Sequence, residues 1–495
     1  MDTQNHNQKF HFVLFPFMAQ GHMIPMIDLA RLLAQLGATI TIVTTPLNAS
    51  RFEPVISRAL QSCLRINLVQ LPFPCAQAGL AEGLENLDML DSINLYPNFF
   101  RAVDLLEEPV QELFEKLTPP PCCVISDFLI GYTSDIAAKF RVPRIVFRPV
   151  SCFYLMCMHD FLTSKFHETV KSESEYFVLT NLPDKVKLTK AQIPLYKDED
   201  FMETLKNIGA KAAAAYGEII NTFEELEPEY IREYRKARGE KIWCVGPLSL
   251  CNKNELDKAE RGKKSTVDQH QWLTWLDAQE SSSVIYACLG SLSTVPPEQV
   301  MELGLGLEAS NRPFIWVIRD WNRSDELEKL ISENEFEERI KGRGVLINGW
   351  APQVVILSHP AIAGFLTHCG WNSTIEGISA GVPLITWPLF SDQFCNSELV
   401  VQLLKIGIWV GAEKALVMGE EEKYGLCVKK EKIKDVIAKL MDRGEEGERR
   451  RKRDKALAEM AKRGVEEGGS SHHNIIMFIQ DIMQQQASCR PRNSR

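Results

Sequence analysis

Residues 350–393 read WAPQVVILSHPAIAGFLTHCGWNSTIEGISAGVPLITWPLFSDQ. Within them Ala363–Thr367 is a short apolar run that predicts a buried strand. It passes through His368-Cys369-Gly370 into Trp371-Asn372-Ser373-Thr374, where a helical pattern begins that stops near Gly381. Pro383–Trp387 then reads as a second strand. A strand, a glycine turn, a helix and another strand imply a parallel sheet with helices on its faces. Two readings of the helix start fit the spacing equally. Backbone N–H groups and hydroxyls there make a cradle for an anion, favoured by the helix dipole. Alternatively, Asn372 and Ser373 merely cap the helix.

The same alternation extends outward. Upstream, Val284–Leu289, Pro313–Arg319 and Val345–Ile347 read as strands, and Pro297–Ala309 as a helix. Further back the chain turns polar over 251–265 (CNKNELDKAERGKKS), a composition that predicts an interdomain linker. Before the linker, Phe10–Phe15, Thr39–Thr44, Cys122–Ser126 and Arg144–Phe147 read as strands. Between them lie helical patterns over Pro25–Leu36, Phe99–Leu117 and Asp135–Phe140, and a loop carrying Gly21 and His22. The fold expected is α/β, with one domain over 1–250 and a second over 266–470. In such folds ligands bind in the cleft at the carboxyl ends of the strands. His22 and Asp127 each follow a strand and so fall at that edge. Alone, His22 reads as a structural hydrogen-bonder and Asp127 as a cap; together they suit a general base and the carboxylate that orients it.

Composition narrows the function. A chain of 495 residues exceeds one core. Its 45% hydrophobic and 24% charged content is that of a globular protein. A net charge of −9 argues against general nucleic-acid binding, so an anionic ligand must be held by local devices such as helix N-termini. The 13 cysteines include no C-x-x-C pair, which reads as free thiols in a reducing compartment. The run Phe10–Phe15 is better explained as a strand than as a secretory signal, and no apolar stretch is long enough for a membrane span. The cytoplasm is the expected location.

The stretch Trp350–Gln393 resembles the plant secondary product glycosyltransferase box of plant UDP-glycosyltransferases, and has its length of 44 residues. The likeness continues in FPFMAQGHMIPM (15–26), in Cys288-Leu289-Gly290-Ser291 and in EEGGSSHHN (466–474). It implies the GT-B architecture, two Rossmann-like domains facing across a cleft, with residues 471–495 forming a helix that returns toward the first domain and a tail. It implies an inverting, metal-independent O-glucosyltransferase acting on a hydroxyl or carboxyl of a small lipophilic metabolite such as a triterpenoid, steroid or flavonoid. UDP-glucose is the co-substrate; no cofactor and no metal are called for, and a monomer is expected. His22 would be the base and Asp127 its partner. Trp350 would stack on uracil with Ala351 bonding its edge, and Gln353 and Glu376 would bind the ribose. His368, Asn372, Ser373 and Ser291 would hold the diphosphate. Trp371, Asp392 and Gln393 would address the sugar. For the acceptor, Met18, Phe128, Arg148, Ser151, Phe153 and Phe394 are the candidates.

Three positions depart from the family pattern: Arg148 before Pro149, Ser391 before Asp392, and Ala363. Arg148 faces either solvent, the favoured reading, or an acidic or already glycosylated acceptor; Ser391 adjoins the sugar site. The alternatives to glucose are UDP-galactose or UDP-glucuronate, and a catalytically silent ligand-binding homologue is a further one. Asp198-Glu199-Asp200 is too weak a signal for a metal site. Gly304-Leu305-Gly306 lacks the third glycine of a dinucleotide fingerprint.

Overall fold

A computed structural model describes residues 10–164, 170–193, 199–262, 269–292, 295–319 and 324–489. Its first sheet contains β1 (His11–Phe15), β2 (Thr39–Thr44), β3 (Ile66–Gln70), β4 (Cys123–Asp127), β5 (Arg144–Arg148), β8 (Gly217–Ile220) and β9 (Ile242–Cys244). The strands are parallel and ordered β3-β2-β1-β4-β5-β8-β9. A small antiparallel pair, β6 (Tyr176–Leu179) and β7 (Val186–Thr189), stands apart. The second sheet holds β10 (Val284–Cys288), β11 (Phe314–Ile318), β12 (Gly344–Asn348), β13 (Ile362–Thr367), β14 (Leu384–Thr386) and β15 (Gly407–Trp409). It too is parallel, ordered β12-β11-β10-β13-β14-β15. Central strands such as β1, β4 and β10 are buried along their whole length, as unbroken apolar runs require when helices cover both faces. Strand order reverses between β1 and β4 and again between β10 and β13, and each reversal opens a crevice at the carboxyl ends.

Four helices position the site, α1 (Gln20–Gln35), α2 (Cys152–Ser164), α3 (Trp371–Ala380) and α4 (Gln393–Glu398), and a fifth, α5 (Ser470–Cys489), completes the first domain. Two expectations change. Gly21 and His22 lie in the first turn of α1, not in a loop, because the helix begins five residues before Pro25. Proline is tolerated there because little helix precedes it. The pattern over 99–117 is two helices, Tyr96–Asp104 and Glu107–Lys116. Pro109 lacks an N–H and its ring crowds the carbonyl four residues back, at Leu105, where the first helix ends.

The polar stretch after residue 250 is pinned to the first sheet's layer. Its short helix Glu255–Ala259 is capped by the Asn254 side chain, which accepts from the N–H of Leu256 and Asp257. Buried Asp257 pairs with Arg31 and Arg58, both at 2.5 Å. Residues 263–265 of that stretch lie outside the described residues. Gly304 and Gly306 are packing residues: a Cβ would sit 2.6 Å from Trp316 Cζ3 at the first and 2.6 Å from Ile433 Cβ at the second.

Helix α5 packs on the first domain. Phe478 is fully buried, with ring centroids 5.8 Å from Phe12 and 5.2 Å from Trp243. Lys241 Nζ reaches Asp481 at 2.8 Å. Phe478→Ala is expected to destabilise the protein by about 3–5 kcal/mol, read as a fall in the denaturant midpoint with donor KM unchanged in the folded fraction.

Candidate active site

A cleft between the two sheets is lined from both sides by the segments that follow β4, β5, β10, β11, β12 and β13 and by the first turns of α1 and α3. On the first-domain wall, His22 Nδ1 lies 2.8 Å from Asp127 Oδ2. Asp127 is fully buried at the end of β4, where its other oxygen accepts from the N–H of Leu129 at 3.0 Å. The Asp127 carboxylate accepts a hydrogen bond from Nδ1–H, so in the neutral ring Nε2 keeps its lone pair, and His22 lines the cleft. Phe17 and Phe128 flank the imidazole, with centroids at 5.6 and 5.8 Å. Burial pulls the His22 pKa down, but the Asp127 charge and hydrogen bond, and the more distant Asp392 charge, more than offset it. The net shift is upward from 6.5.

On the opposite wall the first turn of α3 points into the cleft. Gly370 is its N-cap, and no side chain caps the helix. Asn372 and Ser373 are therefore engaged elsewhere. Ser373 Oγ accepts from Gln353 Nε2 at 3.0 Å, and Asn372 Nδ2 donates to the Gly21 carbonyl at 2.6 Å. That second bond has a cause in the sequence. In a helix the Gly21 carbonyl would take the N–H of residue 25; Pro25 has none, so the carbonyl is open to a partner across the cleft. His368 closes the same corner, wedged between two glycine turns. A Cβ on Gly290 or Gly370 would come within 2.4 or 2.5 Å of its Nε2. Burial, then the neighbouring Arg319 charge, depresses the His368 pKa to about 3, so the ring is neutral.

Toward the far end of the cleft, Arg319 lies over the Trp350 indole at 4.4 Å. Its guanidinium also bonds the Gly290 and Gly349 carbonyls at 3.2 and 3.0 Å, tying together the loops after β10 and β12. Gln353 Nε2 donates to Glu376 Oε2 at 2.8 Å, and Arg261 engages the other oxygen of Glu376. Ser291 and Ala351 line the cleft between these groups and His368.

At the inner end, Asp392 accepts from Asn396 Nδ2 at 2.7 Å. Burial raises its pKa to about 6, against hydrogen bonds from Asn396 and the backbone at Asp392 and Trp371 and the pull of His22. Gln393 lines the cleft, but its Oε1 is spent on the N–H groups of Leu389 and Phe390, at 2.8 and 3.1 Å. Only its amide N–H remains for a ligand. Trp371 is buried and its indole N–H donates to the Asn221 carbonyl at 2.7 Å. Its indole N–H is therefore already paired, and Trp371 would address a sugar through its backbone. Ser391 adopts φ +58°, a left-handed conformation in which glycine is unstrained.

Among the six acceptor candidates only Phe128 lines the cleft. Met18, Ser151, Phe153 and Phe394 are buried in packed interior, Phe153 edge-on to Tyr230 at 4.8 Å. Arg148 faces neither solvent nor the cleft. It pairs with Glu218, and its guanidinium lies 5.3 Å from the Phe128 ring centroid. Its strand β5 neighbours β8, which carries Glu218, a register that only the fold discloses. The apolar wall is instead made by Pro149, Val150, Tyr154, Leu292 and Phe390. Glu227 sets the helix that carries Tyr154: its buried carboxylate accepts from the N–H of Cys152 and Phe153 at 3.0 and 2.6 Å, at the start of α2. Asp198-Glu199-Asp200 begins at a position outside the described residues, and no group of three metal-ligating side chains occurs among the described ones.

Two family profiles match the chain: "UDP-glucoronosyl and UDP-glucosyl transferase" over residues 261–410, and "Glycosyltransferase, N-terminal domain" over residues 8–250. UDP-glycosyltransferase 73C25 of Barbarea vulgaris is 53% identical over 485 residues, covering 97% of this chain and 98% of that one. UDP-glycosyltransferase 73C6 of Arabidopsis thaliana is 52% identical over 489 residues, covering 98% and 99%. Among solved structures, Glycyrrhiza uralensis UGT73P12, complexed with glycyrrhetinic acid 3-O-monoglucuronide, superimposes with a TM-score of 0.89 at 35% identity, covering 97% of each chain. With two Rossmann-like sheets facing across a cleft and this kinship over nearly its whole length, the chain belongs to the plant UDP-glycosyltransferases of GT-B fold.

Proposed function

We propose that this enzyme transfers glucose from UDP-glucose to a hydroxyl of a small lipophilic metabolite, with inversion and without a metal. The observation that carries the reading is the Asn372–Gly21 bond at 2.6 Å. It sets the residue beside the base against the first turn of the anion-binding helix, so base and leaving group face each other across one cleft.

In the proposed step the acceptor oxygen attacks the anomeric carbon while His22 Nε2 takes its proton. The bond from that carbon to the diphosphate oxygen breaks, and UDP leaves with the electron pair. Asp127 stabilises the imidazolium. The first turn of α3, Ser291 and neutral His368 offer donors to the growing negative charge. Trp350 presents an aromatic face to uracil, with Ala351 at its edge, and Glu376 and Gln353 face the ribose. The apolar wall from Phe128 to Phe390 suits a lipophilic acceptor such as a triterpenoid, steroid or flavonoid.

Glucose is supported by Asp392 and Gln393 together. One accepts and the other donates, so adjacent hydroxyls of fixed direction are matched; a misdirected hydroxyl leaves a buried group unpaired, at about 1–3 kcal/mol. Arg261 and Arg319 line the cleft beside Glu376 and Trp350, at its nucleoside end, away from where a glucuronate carboxylate would lie. With a mixed aglycone panel and EDTA present, UDP-glucose is expected to be the best donor. Better use of UDP-galactose or UDP-glucuronate, or activity restored by Mn²⁺, would overturn this reading.

The His22 shift fixes a pH dependence. A base works deprotonated, so activity rises with pH through its pKa. With that pKa raised, the acid limb of kcat/KM is expected above the ordinary value of 6.5. Asp392 is one of the charges that raise it, so Asp392→Asn should move the limb to lower pH, whatever it does to the maximum rate. A limb that stays in place would separate the two groups.

A further inference from the structure

We propose that Arg261, in the segment joining the two sheets, sets the donor affinity of this enzyme by holding Glu376 for the ribose and anchoring it to Asp28 in the other domain. The inference rests on the reading of Glu376 as a ribose ligand. Arg261 Nε donates to Asp28 Oδ2 at 2.8 Å, and its Nη2 approaches the same oxygen at 2.7 Å. Nη1 meets Glu376 Oε1, whose partner oxygen takes Gln353 Nε2 at 2.8 Å. All three charged side chains are 10% exposed or less. One guanidinium thus serves two buried carboxylates from opposite domains.

The geometry has a chemical consequence. A carboxylate that accepts from a vicinal diol must be ionised and held in one orientation. Without a cation, two buried carboxylates near each other favour protonation, and the loss of one partner of a buried ionic group is costly. Burial already raises the Asp28 pKa, opposed chiefly by Arg261. The next residue bears on the nucleoside pocket as well. Gly262 has φ +102°, and a Cβ there would lie 2.4 Å from Trp350 Cζ2. The joining segment therefore touches both the indole and the ribose carboxylate, and Asp28 lies on α1, the helix that carries His22. Arg261 is a positioning residue: it acts through Glu376.

The test is UDP affinity by calorimetry alongside the steady-state constants of the full-length enzyme. Arg261→Met is expected to raise the UDP Kd and the UDP-glucose KM at least about tenfold, with kcat changed by no more than about threefold. Arg261→Lys should recover part of the loss. Asp28→Asn, nearly isosteric and outside the cleft lining, should weaken UDP in the same direction. In Asp28→Asn/Arg261→Met the two losses should fail to add, as expected for residues in one network. Glu376→Ala is the control. If it weakens UDP while Arg261→Met and Asp28→Asn leave it unchanged or tighter, the link through Arg261 is wrong and the segment merely competes for Glu376. If Glu376→Ala itself leaves UDP affinity intact, the ribose assignment falls, and the inference with it.

Discussion

His22→Ala is expected to lower transfer by about 10²–10⁴-fold, the usual contribution of a positioned general base, while UDP still binds. The proposed base sits on the first-domain wall, and the proposed UDP groups sit on the other. Deletion of the imidazole therefore removes proton transfer without touching Trp350, Glu376 or His368. Asp127→Asn should also lower kcat. Its amide can donate where the carboxylate accepted, which turns the ring toward the tautomer with its proton on Nε2. Rate measurements on variants with unaltered thermal unfolding decide the matter; near-normal turnover in His22→Ala would falsify the dyad.

The second large effect is expected at Asp392. Asp392→Ala removes the proposed acceptor for the sugar and a charge that helps raise the His22 pKa. A hydrogen bond to a charged group contributes about 1.5–3 kcal/mol, which corresponds to roughly a 10–150-fold fall in kcat/KM for UDP-glucose. UDP affinity should change little, since the role proposed for Asp392 is toward the sugar and not the nucleotide. Gln393 allows a finer cut. Its Oε1 holds the Leu389 and Phe390 N–H groups, so Gln393→Ala would loosen a loop as well as lose the proposed sugar contact. Gln393→Glu keeps an oxygen for the loop and loses only the N–H donor. If the amide serves the sugar, both variants should impair transfer; if it serves only the loop, Gln393→Glu should be close to normal.

Much of this arrangement was legible in the residues. Short apolar runs separated by helical patterns signal parallel strands, and Gly370 between a strand and a polar helix start marks the turn that carries His368. His22 and Asp127 could be paired because each follows a strand. Which strands adjoin is a property of sheet order, and β1 and β4 are neighbours although more than a hundred residues separate them in the chain. The acceptor wall was harder to read for the same reason. An aromatic side chain near a motif in sequence has no stated direction: Phe128 turns to the cleft, whereas Phe153 turns into the core. Arg148 resembled an unpaired cation because Glu218 is distant in the chain. Arg261 passed for a solvated linker charge among other charges, and only the closure of two domains reveals its carboxylate partners. The sequence places Gln393 beside Asp392 but does not disclose the loop whose N–H groups occupy its Oε1.

Helix α5 returns to the first sheet and inserts Phe478 between Phe12 and Trp243. The polypeptide therefore contributes to that layer twice, from both ends of the chain. Recombination between relatives has to respect this. A chimera that joins one enzyme's first 250 residues to another's remainder pairs a foreign Phe478 and Asp481 with native Phe12, Trp243 and Lys241. A crossover in the joining segment calls for a second one before Ser470, so that the last helix travels with the half whose core it completes.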